Sequence, residues 1–303
     1  MKKLTCILLL ISLTASMLTA CSGGESSYGG GNSDVPSGAS AFNDSKDIVV
    51  VSREDGSGTR GAFIELFGIE RKNDDGTRKD LTTKEAIIAK QTDVMMMNIA
   101  GNPYTIGYIS LGSLNDSVKA LQIEGVTPTA ENVKNSEYPI ARPFNIAAKG
   151  SVSELAGDFI SFILSDEGQA VVAKSYIAVI ENAPAYAGSK PSGKIVVAGS
   201  SSVTPIMEKL KEAYLEINPN ATIEIQMSDS SAGITGVIDG TCDIGMASRG
   251  LKDSELEKLT STQIALDGIA VIINHANPIA NLTKEQIKAV FTGETIIWGE
   301  IVQ

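Results

Sequence analysis

Histidine occurs once in the 303 residues, at His275, and cysteine three times, at Cys6, Cys21 and Cys242. No His/Cys/Asp group has metal-ligand spacing, so no metal is expected. Neither a G-x-S-x-G elbow nor a Gly-Lys-Ser/Thr phosphate loop is present, and His275, at a strand end, reads as a hinge or surface residue. The chain is therefore not read as an enzyme, and no cofactor is implied. Basic residues are scarce as well: 25 Lys and Arg stand against 36 Asp and Glu, for a formal net charge of −11. Without a basic run or patch, nucleic acid is excluded as a partner. An anion would have to be held by local dipoles and a few cations rather than by an overall field.

Long apolar runs are missing except at the N-terminus, where Met1-Lys2-Lys3 is followed by an almost uninterrupted apolar stretch from Leu4 to Leu18. That stretch is short for a membrane span and has the form of a signal peptide over 1–20. Leu18-Thr19-Ala20-Cys21 resembles a lipobox, which implies cleavage before Cys21 and acylation of its thiol. Two or more acyl chains anchor a protein stably to a membrane, where one does not. Loss of Lys2 and Lys3 takes the formal charge from −11 to −13. Residues 21–46, rich in Gly, Ser and Asn after the cysteine, cannot bury a core and read as a flexible tether with a reach of roughly 25–30 Å. Only Cys242 then remains in the folded part, so no internal disulfide is available there.

From Asp47 onward, strand-like and helical runs alternate. Ile48-Val-Val-Val51 leads through a Gly-rich turn into a helix near Thr59. Thr105–Ile109, Lys119–Ile123, Lys194–Ala198, Ala221–Gln226, Asp243–Met246 and Ile269–Asn274 read as strands. Tyr138–Ala147 reads as an edge or crossing strand, because it contains Pro143. Leu155, Phe159, Phe162 and Ile163 mark one buried helix face, Ser165 caps a further helix, Pro205–Ile217 forms another, and Thr283 opens a helix with capping-box spacing. This alternation predicts an α/β fold with a mainly parallel sheet.

Three of the strand-to-helix turns share one chemistry: Ser52-Arg-Glu-Asp-Gly-Ser-Gly-Thr59, Gly199-Ser-Ser-Ser-Val-Thr-Pro205 and Ser228-Asp-Ser-Ser-Ala-Gly233. A fourth turn, Ala247-Ser-Arg249, follows a strand. Helix N-termini present unpaired N–H groups and partial positive charge, hydroxyls add donors, and glycine lets the backbone approach a ligand. Each dipole contributes about 0.3–1 kcal/mol when exposed and more when buried. Any one of these turns is more simply an ordinary cap. Together with Arg53 they indicate an anion-binding α/β protein.

The blocks SREDGSGTRGAF, GSSSVTPIMEKL, SSAGITGVIDGT, DIGMASR and LTKEQIKAVFTGE resemble the phosphate-binding proteins of Pst-type ABC transporters, across essentially all of 47–303. The resemblance implies a two-lobed periplasmic-binding-protein-like fold of type 2 with a ligand cleft between the lobes. The blocks stand in circularly permuted order relative to the usual family arrangement. On that basis lobe two comprises 47–141 plus 269–303 and lobe one 142–268, with the new join at Ala183–Gly193. The implied ligand is inorganic phosphate, and the implied partners are the permease subunits of an ABC importer. A protein on the extracytoplasmic face, held to the membrane through Cys21, is the expected setting.

By matching positions, the resemblance implies ligand contacts from Arg53, Ser57, Gly58 and Thr59 in lobe two and from Ser201, Ser202, Ser230 and Ser248 in lobe one. Asp55 would orient Arg53. Arg249 is held as a second cation or an interlobe salt bridge, and Asp229 as a solvated turn residue or a substitute acceptor. Some relatives place Asp where Ser248 stands, and a serine rejects fully ionised anions less strongly. Sulfate, molybdate or tungstate therefore remain alternatives to phosphate, and a phosphate sensor remains an alternative to an importer component. Each block occurs once, so a monomer completes one site; a swapped dimer is the competing arrangement.

Overall fold

The computed structural model describes residues 42–73 and 78–301. The expected signal peptide, the lipid acceptor Cys21 and most of the expected tether lie outside the described residues. Strands occupy β1 (Val49–Arg53), β2 (Glu70–Lys72), β3 (Arg78–Asp80), β4 (Ile87–Ala89), β5 (Thr105–Ser110), β6 (Lys119–Ala120) and β7 (Gln122–Ile123). They continue with β8 (Ala141–Ala148), β9 (Gly193–Ser200), β10 (Ala221–Ser228), β11 (Ile244–Ala247), β12 (Thr260–Ile273) and β13 (Asn281–Leu282). Helices are α1 (Gly58–Leu66), α2 (Thr92–Gly101), α3 (Ala130–Lys134), α4 (Glu154–Ile163) and α5 (Asp166–Val172). Those that follow are α6 (Thr204–Ile217), α7 (Ser230–Asp239), α8 (Asp253–Leu256), α9 (Lys284–Thr292) and α10 (Trp298–Ile301).

One sheet runs β10-β9-β11-β8-β12-β5-β1-β4, with β6 also on β12. Its outer parts are parallel, as β9 is with β10 and β11, and β1 with β4 and β5. Its middle is antiparallel, β8 pairing with β11 and β12, and β12 with β5. The sheet is thus mixed rather than mainly parallel, because two long strands travel through its centre in opposite directions. Pro143 is tolerated in β8 because β11 pairs only with residues 145–147, leaving the proline a single neighbour, Leu266 of β12.

Buried apolar side chains divide along this axis. One group, including Phe144, Phe159, Phe162, Val197, Leu210, Ile244 and Ile264, is drawn entirely from residues between 144 and 265. A second, including Phe63, Tyr108, Tyr138, Ile269, Val271, Ile273, Phe291 and Trp298, comes from residues before 141 and after 268. Each fully buried side chain of this size contributes about 1.5–3 kcal/mol. Helix α4 shows the logic locally: Leu155, Phe159, Phe162 and Ile163 are all buried, and Ser153 caps its first turn by accepting from the Ala156 N–H. The molecule is therefore a mixed α/β structure of two lobes joined through β8 and β12.

The packed structure begins before Asp47. The Phe42 ring lies 5.2 Å from Tyr104 and 6.0 Å from Trp298, and the Asp44 carbonyl accepts from the Gly299 N–H at 2.8 Å. Residues 42–46, expected as tether, are instead part of the folded unit, because Phe42 supplies an aromatic anchor within a Gly/Ser-rich context.

Candidate anion-binding site

The three hydroxyl-rich turns converge. Strand β1 ends in Ser52 and Arg53, and the following turn places Ser57 as the N-cap of α1, where its hydroxyl accepts from the Arg60 N–H at 3.3 Å. Strand β9 ends in Ser200, and Ser201 and Ser202 follow it into α6. Strand β10 leads to Asp229, the N-cap of α7, and Ser230 is that helix's first residue. Strand β11 ends just before Ser248. Arg53, Ser57, Thr59, Ser201, Ser202, Ser230 and Ser248 are all buried.

These groups meet across the junction between the lobes. Thr59 and Ser202 share a hydroxyl–hydroxyl bond of 2.8 Å, and Arg53 Nη2 donates to Ser201 Oγ at 3.0 Å. The Ser231 N–H donates to the Gly56 carbonyl at 3.2 Å. Within lobe one, Ser200 donates to Ser248 Oγ at 3.0 Å, and the Ser248 N–H donates to Ser230 Oγ at 3.1 Å. The two sides approach each other closely at Gly58. A Cβ there would lie 2.4 Å from Ser230 Oγ and 2.9 Å from Ser248 Oγ, so only glycine fits.

Arg53 is 1 % exposed. Its Nε donates to the Ala89 carbonyl at 3.0 Å and to Glu54 at 2.9 Å, while Nη2 donates to the other Glu54 oxygen at 2.8 Å. Among the described residues its Nη1 is buried without a hydrogen-bond partner. Buried polar groups are nearly always paired, and a buried guanidinium donor left over among hydroxyls is a place for an acceptor oxygen. Behind it, the Tyr108 hydroxyl contacts both Ser52 Oγ, at 2.9 Å, and the Arg53 N–H, at 3.2 Å. Burial pushes the Tyr108 phenol above its ordinary pKa, so it stays protonated.

Two expectations change. Asp55 does not orient Arg53: its side chain is 97 % exposed and pairs with Arg60 at 3.0 Å, while Glu54 grips Arg53 instead. Arg249 is neither a second cation of the cluster nor an interlobe bridge. It makes a two-pronged pair with Glu255, both contacts at 2.8 Å, within lobe one. Asp229 is a helix cap, accepting from the Ala232 N–H at 2.8 Å. One carboxylate oxygen is engaged there, and the half-buried residue sits in the turn ahead of α7.

Further contributors escape the sequence reading. Thr92, the first residue of α2, is buried with its hydroxyl 3.5 Å from Ser201. Ser200 is the unselected first serine of its block, and Glu54 adjoins the arginine it holds. Arg142 and Asp267 form a buried pair at 3.1 Å, and Arg142 Nη1 also donates to the Ser248 carbonyl at 3.3 Å. Each of these two is a lone charge inside an apolar run, which was the available signal. Beside the cluster a cleft of about 310 Å³ opens, lined by Thr92, Asp93 and Met96 on one side and Ser201, Thr204 and Met227 on the other.

Two lobes sharing a mixed sheet, with buried helix N-termini, hydroxyls and one arginine converging where they face each other, define a periplasmic-type ligand-binding protein. Comparison with known sequences agrees: the PBP superfamily domain matches residues 36–167 and 184–300. Phosphate-binding protein PstS 2 of Streptococcus agalactiae serotype V is 52% identical over 256 residues, 84% of this chain and 87% of that protein. Phosphate-binding protein PstS 2 of Streptococcus pneumoniae serotype 4 is 46% identical over 287 residues, 94% of this chain and 98% of that protein. The crystal structure of a phosphate-binding protein of a phosphate ABC transporter from Streptococcus pneumoniae TIGR4 superposes with a TM-score of 0.67 at 47% identity, covering 84% of this chain and 99% of that one. The chain belongs to the PstS family of phosphate-binding proteins within the PBP superfamily.

Proposed function

We propose that the protein captures inorganic phosphate between its lobes and delivers it to the permease of an ABC importer. The unpartnered Nη1 of Arg53, buried among hydroxyls and helix N-termini from both lobes, is the observation that carries this reading. An anion admitted there takes hydrogen bonds that these groups now give one another. The Arg53 contact is charge-assisted, and the N-termini of α1, α6 and α7 favour negative charge. The names of the relatives supply the identity of the anion. Ligand contacts are assigned to Arg53, Ser57, Gly58, Thr59, Ser201, Ser202, Ser230 and Ser248, with Thr92 added. Equilibrium dialysis against labelled phosphate tests the assignment. The wild-type chain should retain label, and Arg53→Met should lose at least about 100-fold in affinity, since removing the cation strands the remaining groups. Unchanged retention by the variant would remove the site.

The same reading places the protein on the extracytoplasmic face, anchored through acylated Cys21. Lobe limits of 47–141 with 269–303, and 142–268, are supported by the division of the cores at 141 and 268. Circular permutation is supported by the position of the described ends: Asp47 bridges to Ile297, and Asp44 bonds Gly299, so the two ends adjoin on one lobe. A monomer is favoured because each block occurs once, so one chain can complete one site, and light scattering distinguishes it from a swapped dimer. A broader oxyanion specificity is the second reading, favoured by one observation. Ser248 bonds Ser200 and Ser230 within the cluster, while Glu54 bonds Arg53 and Asp229 caps α7.

A further inference from the structure

Beneath the hydroxyl cluster lies a second guanidinium. Arg142 of β8 is 2 % exposed and Asp267 of β12 is 1 % exposed, and the two are direct cross-strand partners in the register Asp267–Arg142. They sit where the chain passes between the lobes. The carboxylate accepts from Arg142 Nε at 3.3 Å and Nη2 at 3.1 Å, from the Ser110 hydroxyl at 2.9 Å, and from the Gly112 N–H at 3.4 Å. The guanidinium also lies 5.3 Å above the Phe144 ring, which fixes its plane. Its remaining contact is forward, from Nη1 to the Ser248 carbonyl. Ser248 in turn receives the Ser200 hydroxyl and gives its N–H to Ser230. Arg142 is therefore one residue away from the groups assigned to the anion, with its charge in a buried, weakly screened setting.

We infer that Arg142 is a second cation of the anion site, acting through Ser248 as a positioning residue, and that Asp267 sets how much of its charge a bound anion feels. This rests on the cleft being an anion site. With Asp267 ionised, Arg142 is largely neutralised and its role is to hold Ser248. With Asp267 uncharged, the full positive charge acts on the anion. The other groups facing Arg142 are Arg53 from β1, whose charge opposes it, and the Tyr176 phenol, which burial keeps protonated. Burial pushes the Asp267 carboxyl up to about 6 against the pull of Arg142, Ser110 and Gly112, so the pair changes charge just below neutral pH.

A purely structural ion pair and this arrangement make opposite demands. If the pair only supports the fold, Arg142→Met and Asp267→Asn both weaken phosphate binding. The inference requires opposite signs. Arg142→Met should weaken binding on the order of tenfold, as loss of a buried charge at second-neighbour range does, while Asp267→Asn tightens it by several-fold. Arg142→Lys, which keeps the charge, should recover part of the loss. Titration calorimetry with inorganic phosphate reads all three. Should Asp267→Asn not fold, the wild-type chain and Arg142→Met are compared between pH 7 and 5. The wild-type affinity should then rise relative to the variant as pH falls, phosphate's own ionisation cancelling in the ratio. Parallel weakening by both variants, or a pH-independent ratio, overturns the inference. Failure of the wild-type chain to bind phosphate at all would instead overturn the functional reading on which it rests.

Discussion

Gly58→Ala separates binding from folding. In the first turn of α1 the substitution favours helix by up to about 1 kcal/mol, since glycine is the costlier residue there. The new Cβ, however, would lie 2.4 Å from Ser230 Oγ, about 1 Å inside ordinary contact, and 2.9 Å from Ser248 Oγ. Ser230 cannot turn away freely, because its hydroxyl accepts the Ser248 N–H. Overpacking of this kind costs about 1–3 kcal/mol. Because Ser230 and Ser248 belong to the opposite lobe, that cost falls on the closed, ligand-gripping arrangement and is relieved when the lobes part. Phosphate affinity should fall by about 5- to 150-fold, a factor of ten for every 1.4 kcal/mol. Without phosphate the melting temperature should stay within about 2 °C of wild type, while the rise that phosphate gives the wild-type chain largely disappears. Calorimetry and thermal melts with and without phosphate provide both numbers. Affinity within twofold of wild type, or a ligand-free melting temperature lowered by more than about 5 °C, would show that the close approach is not a feature of closure.

Glu54→Gln should weaken phosphate binding by about tenfold, because Arg53 loses its charged clamp, whereas Asp55→Asn should change it less than twofold; the same titration compares them. Asp267 supplies a pH signature in stability. Its folded pKa of about 6 lies above the unfolded value near 3.9, so the folded state holds the proton more tightly. The ionisation penalty is present above pH 6 and is lost as pH falls toward 4. Relative to Asp267→Asn, the ligand-free wild-type chain should therefore gain up to about 3 kcal/mol over that interval, and denaturant melts showing a flat difference would refute it. Cys21→Ala should abolish labelling by radioactive palmitate in cells and move the protein from the membrane fraction to the soluble one, while leaving phosphate binding by the folded unit intact.

How much of this is legible in sequence follows from what each residue type signals. The hydroxyl-rich turns stand out because Gly, Ser and Thr cluster at strand-to-helix junctions, and Thr59, Ser201, Ser202, Ser230 and Ser248 are brought together in the fold, whereas the Ser57 hydroxyl caps its own helix. Helix α2 escapes notice because Val94-Met-Met-Met-Asn-Ile99 shows no one-sided pattern, and Thr92 is lost with it. The first half of β12, Thr260–Asp267, is hidden for a related reason. Only its far end is a continuous apolar run; the near end mixes exposed and buried residues and carries an irregularity between Gln263 and Ala265. Asp267 shows in the sequence as a lone charge in an apolar stretch, but nothing there sets its register, so its cross-strand partner Arg142 cannot be named from it. Asp55 and Glu54 are equally suitable partners for Arg53 on spacing alone. Backbone direction in the turn decides between them, sending Asp55 outward to Arg60.

The central claim is that the cleft takes phosphate, and titration calorimetry of residues 22–303 with phosphate and with sulfate tests it most directly. One phosphate per chain should bind at micromolar concentration or below, with roughly 8 kcal/mol or more of binding free energy, and sulfate should bind far more weakly. No saturable heat with phosphate, or sulfate bound as tightly as phosphate, would contradict the account.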